Sequence, residues 1–238
     1  MKIADGIEII DLALYLREHG ALVIGDVHIG FEESMTRQGV LLPRFQFKDT
    51  VERLGRILEK VPKLREIIVN GDLKHEFGRI SEQEWRETLK LLDFMKEHCE
   101  RIVLVKGNHD VILGPIARKR GIEVVKDYCL GETFITHGHE IPKGEGFEKA
   151  EAAIIGDAHP AVSIREGARS ELFKCFLKGK WEGKLLIAMP SFNLVTIGTD
   201  VLKERIKSPF LKEITDFEVF VVGDKVYGFG DVGKLMLE

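Results

Sequence analysis

The chain has 238 residues, 44% hydrophobic and 31% charged, a length and balance that fit one globular domain over 1–238 and exclude a disordered chain. Its formal charge of -4 argues against a broad basic footprint for long duplex nucleic acid, while leaving room for a local phosphate site. No apolar run approaches the ~18 residues needed to cross a bilayer, and the N-terminal MKIADGIEIIDLALYL carries Asp5, Glu8 and Asp11, unlike a signal peptide, so no membrane association is expected.

In chain order, Ala21-Leu22-Val23-Ile24 is a short apolar run stopped by Gly25 and predicts a buried strand. From Pro43 to Lys60 the spacing of Phe47, Val51, Leu54, Ile57 and Leu58 predicts a helix that Pro62 ends. Ile67–Val69 predicts a second strand. Ser81 to His98 predicts the best helix: Ser81 and Glu84 form an S-x-x-E capping box ahead of Trp85, Leu89 and Leu92. Ile102–Val105 predicts a third strand, and Ile112 to Arg120 a short helix. Beyond Gly121 β-rich runs dominate: Ile122–Val125, Thr133–Thr136, Ile154–Ile155, Leu185–Ala188, Val195–Ile197, Phe217–Val222 and Val226–Phe229. One helix around Gly146 to Ala152 interrupts them. The βαβαβ start predicts a mainly parallel sheet and the second half another sheet packed on it. The expected fold class is α/β, a two-sheet sandwich flanked by helices.

Polar groups follow five of the apolar runs directly: Gly25-Asp26-Val27-His28, Asn70-Gly71-Asp72-Leu73-Lys74-His75, Lys106-Gly107-Asn108-His109-Asp110, Thr136-His137-Gly138-His139 and Gly156-Asp157-Ala158-His159. Ligands bind outside the carboxyl ends of strands in an open α/β sheet, so these groups can converge although they spread from residue 25 to residue 159. In Asp-x-His on an extended segment, residues two apart share a side, which lets Asp26 and His28 grip one cation; the same holds for His137 with His139 and Asp157 with His159. A glycine ahead of the acid lets the chain turn sharply at the strand end. Carboxylate, imidazole and amide oxygen together suit Mn²⁺, Fe or Zn²⁺ better than Ca²⁺, and a set of this size suggests two ions sharing a carboxylate.

The ordered set D-x-H, G-D, G-N-H-D, H-G-H and a closing G-x-x-H is similar to the signature of calcineurin-like metallophosphoesterases. Gly71-Asp72-Leu73-Lys74-His75 resembles the G-D-L-x-H of the Mre11/SbcD nuclease branch, and the stretches Gly39–Gln46 and Pro190–Asp200 resemble its small stand-alone relatives. The resemblance implies two divalent metal ions, Mn first, with Mg, Zn, Fe or Ni as alternatives. One would be held by Asp26, His28, Asp72 and His159, the other by Asp72, Asn108, His137 and Asp157, with Asp72 bridging. A hydroxide between them would attack phosphorus in line, and His109 would protonate the leaving group, with Asp110 orienting His109. His75 matches a position that seats the phosphodiester. His139 fits either a partner of the ligands or a substrate contact.

The chain departs from the family at one place. The family closes with G-H-x-H, whereas this chain reads Gly156-Asp157-Ala158-His159. With Asp26, Asp72, Asp157 and a hydroxide, about four negative charges offset two dications; a histidine would leave about one positive charge for the substrate. The expectation is weaker anion attraction and a shift towards harder ions such as Mn²⁺ or Mg²⁺.

The function these features imply is a phosphodiesterase or nuclease-like hydrolase acting on small or single-stranded phosphodiesters. The alternatives are a phosphomonoesterase on nucleotides or phosphoproteins, and a weakened metal-binding scaffold for a protein partner. The family's larger nucleases carry a capping domain and an ATPase-binding region, and 238 residues leave no room for both, so no ATPase-binding region is expected. A homo-oligomer remains open. Cys99, Cys129 and Cys175 are odd in number and far apart, which favours reduced thiols in the cytoplasm.

Other patterns read as structure. Gly228-Phe229-Gly230-Asp231-Val232-Gly233 matches G-x-G-x-x-G, but the five residues after it are too few for the helix a pyrophosphate needs; a terminal hairpin is expected. Lys174, Lys178, Lys180 and Lys184 with Phe173, Phe176 and Trp181 fit a sheet with aromatics inward and lysines outward better than a single-strand platform. His19 and His98 read as surface residues near helix ends, and Arg118-Lys119-Arg120 as a basic helix end.

Overall fold

The apolar run at 21–24 forms a strand, but it enters its sheet fourth rather than first. The computed structural model describes residues 1–78 and 80–237. Residues 2–16, for which the pattern above assigns no element, form β1 (Lys2–Ala4), β2 (Ile7–Ile10) and β3 (Ala13–Leu16), zigzagging antiparallel up to β4 (Ala21–Ile24). The turns explain the meander: Gly6 and Asp11 adopt left-handed φ of 69° and 58°, as tight hairpin loops require. From β4 the pairing is parallel through β5 (Glu66–Asn70), β6 (Arg101–Val105) and β7 (Glu123–Val125). The expected mainly parallel sheet is therefore half antiparallel.

The crossovers carry α1 (Phe31–Arg37), which the sequence pattern did not predict, then α2 (Gln46–Leu58), α3 (Glu82–Lys96) and α4 (Leu113–Arg120). The capping box of α3 is formed: the Ser81 hydroxyl accepts the Glu84 amide at 3.0 Å and the Glu84 carboxylate accepts the Ser81 amide at 3.4 Å. The expected helix from Pro43 starts at Gln46, because the Glu32 carboxylate accepts the amides of Phe45 and Gln46 at 3.0 and 2.9 Å and so opens the helix there. Leu54, Ile57, Leu91, Leu92 and Met95 of α2 and α3 pack with the buried residues of β4–β6.

The second sheet follows: β8 (Tyr128–Leu130), β9 (Thr133–Thr136), α5 (Glu145–Lys149), β10 (Ala152–Ile155), β11 (Pro160–Glu166), β12 (Arg169–Trp181), β13 (Lys184–Ala188), β14 (Thr199–Asp200), β15 (Glu218–Val222), β16 (Val226–Asp231) and α6 (Val232–Leu235). Its spatial order is β14-β11-β12-β13-β10-β9-β8, with β15 on β12 and β16 on β15. The helix expected to reach Ala152 stops at Lys149, since Ala152 already pairs with Thr133 and Leu185. The β15–β16 hairpin takes up Gly228–Asp231 of the G-x-G-x-x-G motif, while Val232 and Gly233, expected in a hairpin, open the short α6. His19 lies in the turn between β3 and β4, not at a helix end.

Successive residues of the second sheet's central strands serve two cores. Ile135, Ile154, Ile187, Phe176 and Phe220 join the cluster shared with the first sheet, while Phe134, Ile155, Leu186, Cys175, Leu177 and Val219 face the opposite side, with Phe147 and Phe210. Burial on both faces is why these strands read as unbroken apolar runs. The lysine-rich stretch is sheet, Lys174, Lys178 and Lys180 on β12 and Lys184 on β13, but the expected split is not kept: those β12 lysines alternate in step with buried Phe176, while Phe173 and Trp181 pack on the opposite core. Among the described residues no helix is long and apolar enough to cross a membrane.

Candidate metal centre

The motif residues sit at the carboxyl ends of β4, β5, β6, β9 and β10, and backbone hydrogen bonds sew these ends together. Asp26 N donates to Gly71 O at 3.0 Å, His28 N to Asp72 O at 2.9 Å, and Gly156 N to His137 O at 2.9 Å. The two sheets are joined where Asp157 N donates to the Asp26 carboxylate at 3.1 Å.

The mode of convergence differs from the extended D-x-H geometry expected. Asp26, His28, Asp72, Asp157 and His159 all adopt left-handed backbone, with φ of 54°, 50°, 45°, 59° and 44°. Non-glycine residues pay for that conformation, and such strain gathers at functional sites. The glycines also act differently. Gly71 has a φ of 80°, but Gly107 and Gly156 are not left-handed. They matter because they leave room: a Cβ would fall 2.1 Å from Asp72 Oδ1 at Gly107, 2.5 Å from Asp26 Oδ2 at Gly156, and 2.0 Å from His137 Nδ1 at Gly71. Each glycine makes space for a polar residue of another motif.

The side chains meet. His159 Nε2 lies 3.1 Å from Asp26 Oδ1, and His28 Nε2 3.7 Å from Asp72 Oδ2. His137 Nε2 faces Asn108 Oδ1 at 3.1 Å and both Asp72 Oδ2 and Asp157 Oδ1 at 3.4 Å. Asp26, His28 and His159 bring one ligand atom each within 4.8 Å of one another, and so do Asp26, Asp72 and His137. Asp26 Oδ1, His28 Nε2 and His137 Nδ1 are buried without a hydrogen-bond partner among the described residues. Buried polar atoms left this way are costly unless something else satisfies them, and these are lone-pair donors facing one space. The donor set therefore fits divalent cations.

The family pattern for calcineurin-like phosphoesterases matches residues 21–151, more than half of the chain. The chain belongs to that family. Asp157 and His159 lie just past the matched span. The fold is similar to that of a Pseudomonas putida nuclease MPE, with a TM-score of 0.67, 22% identity, and 93% of each chain covered. Zinc-complexed Vps29 from Entamoeba histolytica overlaps more loosely, with a TM-score of 0.39 and 16% identity over 89% of this chain and 98% of that one. No curated protein matches the chain.

Beside these groups His28, His75 and His109 form a third within 4.8 Å. His28 Nδ1 lies 3.3 Å from His75 Nδ1, and the His75 and His109 rings stack at 5.5 Å. His109 Nδ1 lies 2.5 Å from the His75 carbonyl, so that nitrogen carries the donated hydrogen, and Nε2 is left facing Asp72 Oδ2 at 3.9 Å. Asp110 is not the residue that meets the His109 ring. Its buried carboxylate accepts the amides of Gly107 at 3.1 Å and of Leu73 and Lys74 at 3.4 Å, tying the β5 and β6 loops together. His139 is exposed, its ring 5.3 Å from that of His137, at the rim.

The electrostatics follow from burial and crowding. Burial pushes the His28 imidazole well below its ordinary value, against the pull of Asp72. Burial also lowers His75, helped by His109. For His137 burial is outweighed: hydrogen bonds to Asp157 and Asp72 and the charges of Asp26 and Asp72 hold it well above the usual range. For Asp72 burial resists ionisation, but His137, then His28 and His109, draw it below the carboxylate range. Burial, then the Asp72 charge, lifts Asp110 to about 6. A neutral His28 beside ionised Asp72 is the state a cation requires of both.

Several supporting residues carry no local signal in the sequence. Gln46 Nε2 donates to His28 O at 2.8 Å, and Glu84 accepts the amides of His75 and Glu76, both at 2.8 Å. The fully buried Lys74 donates to His109 O at 2.6 Å and to Glu76 O. Residues 195–197, expected as a strand, are irregular. The reason is local: Asn193 Oδ1 accepts the Val195 amide at 2.8 Å, Phe192 N and Asn193 N donate to Gly25 O and Asp26 O at 2.9 and 3.0 Å, and the Ser191 hydroxyl donates to Asp26 O at 2.8 Å. That segment braces the Asp26 turn instead of extending a sheet.

Proposed function

We propose that the protein is a two-metal phosphodiesterase acting on small or single-stranded phosphodiesters. The observation that carries this reading is the group of buried, unpartnered ligand atoms of Asp26, His28 and His137, with the His109 Nε2 turned towards Asp72. Asp26, His28, Asp72 and His159 would hold one cation, and Asp72, Asn108, His137 and Asp157 the other. The three carboxylates and the amide oxygen of the set favour manganese. Divalent ions bound there acidify a water and polarise phosphoryl oxygens. The His75 carbonyl fixes the His109 ring through Nδ1, so that a protonated Nε2 can deliver its proton to the leaving oxygen. His75 and the exposed His139 border the centre where a diester would lie. The similar Pseudomonas putida protein is a nuclease, which supports a diester ahead of a monoester. The three cysteines are free, in keeping with a reducing cytoplasm.

The test is hydrolysis of bis-p-nitrophenyl phosphate with manganese. His109→Ala is expected to lower kcat by about 10²–10⁴-fold, the range of general acid catalysis. Equal rates in the two proteins, or none in the wild type with manganese, magnesium or zinc, would reject the reading. Hydrolysis of the monoester alone would replace it with a phosphomonoesterase.

A further inference from the structure

Asp157 stands where the family places a histidine, and a compensating charge lies close by. Two dications beside Asp26, Asp72 and Asp157 carry one positive charge fewer than they would with a histidine at 157, so the centre itself attracts a phosphate less. Lys174 of β12 pairs with Ala161 of β11, two residues past His159. Paired residues of an antiparallel ladder project from the same face. Ala161 points at the 197–199 segment: a Cβ on Gly198 would lie 3.4 Å from the Ala161 Cβ and 2.1 Å from the His159 carbonyl oxygen. The half-buried Lys174 ammonium ends on the same segment, donating to Ile197 O at 3.1 Å, and Thr199 N donates to His159 O at 2.9 Å.

Among the described residues Lys174 has no carboxylate within ion-pair distance and no second hydrogen-bond acceptor, so two of its three donors remain available. Arg53, the neighbouring cation, is committed to Asp11 at 2.6 Å. Burial and then the Arg53 charge hold Lys174 down to about 7, with Asp26 working against them; a phosphate oxygen beside the amine would favour its charged form. The lysine charge acts in turn on His159. An incompletely paired, half-buried cation thus lies on the strand paired with the one that leaves His159, its ammonium on the segment that hydrogen-bonds the His159 carbonyl.

We propose that Lys174 is an anion-binding residue of this site, its ammonium holding a substrate phosphate oxygen and replacing the positive charge that Asp157 removes. The proposal rests on the two-metal reading above. Its substrate chemistry is a phosphate oxygen, whichever ester carries it.

The experiment is calorimetric binding of inorganic phosphate to the manganese-loaded protein, with manganese content measured on each sample. Lys174→Gln is expected to weaken phosphate about tenfold, the scale of one charge-assisted contact, with manganese content unchanged. Lys174→Arg should keep affinity within about threefold, since the charge is retained. Asp157→His introduced into Lys174→Gln should restore most of the loss. Wild-type phosphate affinity in Lys174→Gln, or a loss that only tracks lost manganese, would overturn the assignment. A wild type that binds manganese and phosphate but hydrolyses no ester would reject the phosphodiesterase and leave the role of Lys174 standing.

Discussion

The interior of the two sheets and their carboxyl edge obey opposite rules. In the interior, Ile154, Ile155, Leu186 and Ile187 are regular strand residues, buried on both faces. At the edge, a few residues away, five polar residues take left-handed backbone and buried ligand atoms lack partners. The interior supplies the stability that allows the edge to hold a costly arrangement. The comparison teaches that the two regions should respond to mutation on different axes.

The largest stability effect belongs to the interior. Leu91→Ala is expected to cost about 2–5 kcal/mol in urea unfolding, while the folded protein still binds added manganese as the wild type does. Loss of manganese at full folding would break the separation. At the edge, Gly156→Ala drives a Cβ into Asp26 Oδ2, with no backbone atom nearer than 3.2 Å. Its expected result is about a 100-fold or greater fall in diesterase activity, the scale of an ångström displacement, with little change in urea midpoint for the metal-free protein. Manganese itself should stabilise: at 100 times its Kd, linkage gives about 2.7 kcal/mol. Asp72→Asn should remove that gain in thermal melts, and an undiminished gain would place the ion elsewhere.

The smallest effect sharpens the boundary between the regions. Glu84 is buried, and desolvation raises its carboxyl despite the amides of Glu76, His75 and Ser81. A raised folded value means that the folded state holds its proton longer. Its contribution is therefore present below the unfolded value of about 4.3 and is lost as pH rises through the folded value. Glu84→Gln should flatten that part of the stability–pH curve, read from denaturant midpoints at a series of pH values. An unchanged slope would show that Glu84 does not titrate in that window.

Much of this contrast was legible in the sequence. Apolar runs at 21–24, 67–69, 102–105, 133–136 and 154–155 showed the strands, and the polar residues after them showed where chemistry gathers. The Ser81–Glu84 pair marked the start of α3 correctly. The N-terminal meander was missed because its strands are three or four residues long, too short for periodicity to stand out. The left-handed backbone of Asp26, His28, Asp72, Asp157 and His159 was missed because such strain is imposed by tertiary contacts and leaves no mark in composition. Val195–Ile197 has strand-forming residues, yet the side chain of Asn193 and the needs of Asp26 claim its backbone partners. Gln46 and Asp110 act on loops distant in sequence, so their partners become visible only in three dimensions.

The brace on Asp26 has a consequence for the order of events during biosynthesis. Ser191 grips the carbonyl of a residue 165 positions earlier, and His159 is itself delivered late in the chain. A ribosome will have released the strands of the first sheet well before either arrives. A metal held by Asp26 in this turn together with His159 would therefore be captured tightly only late in synthesis, after both segments have met.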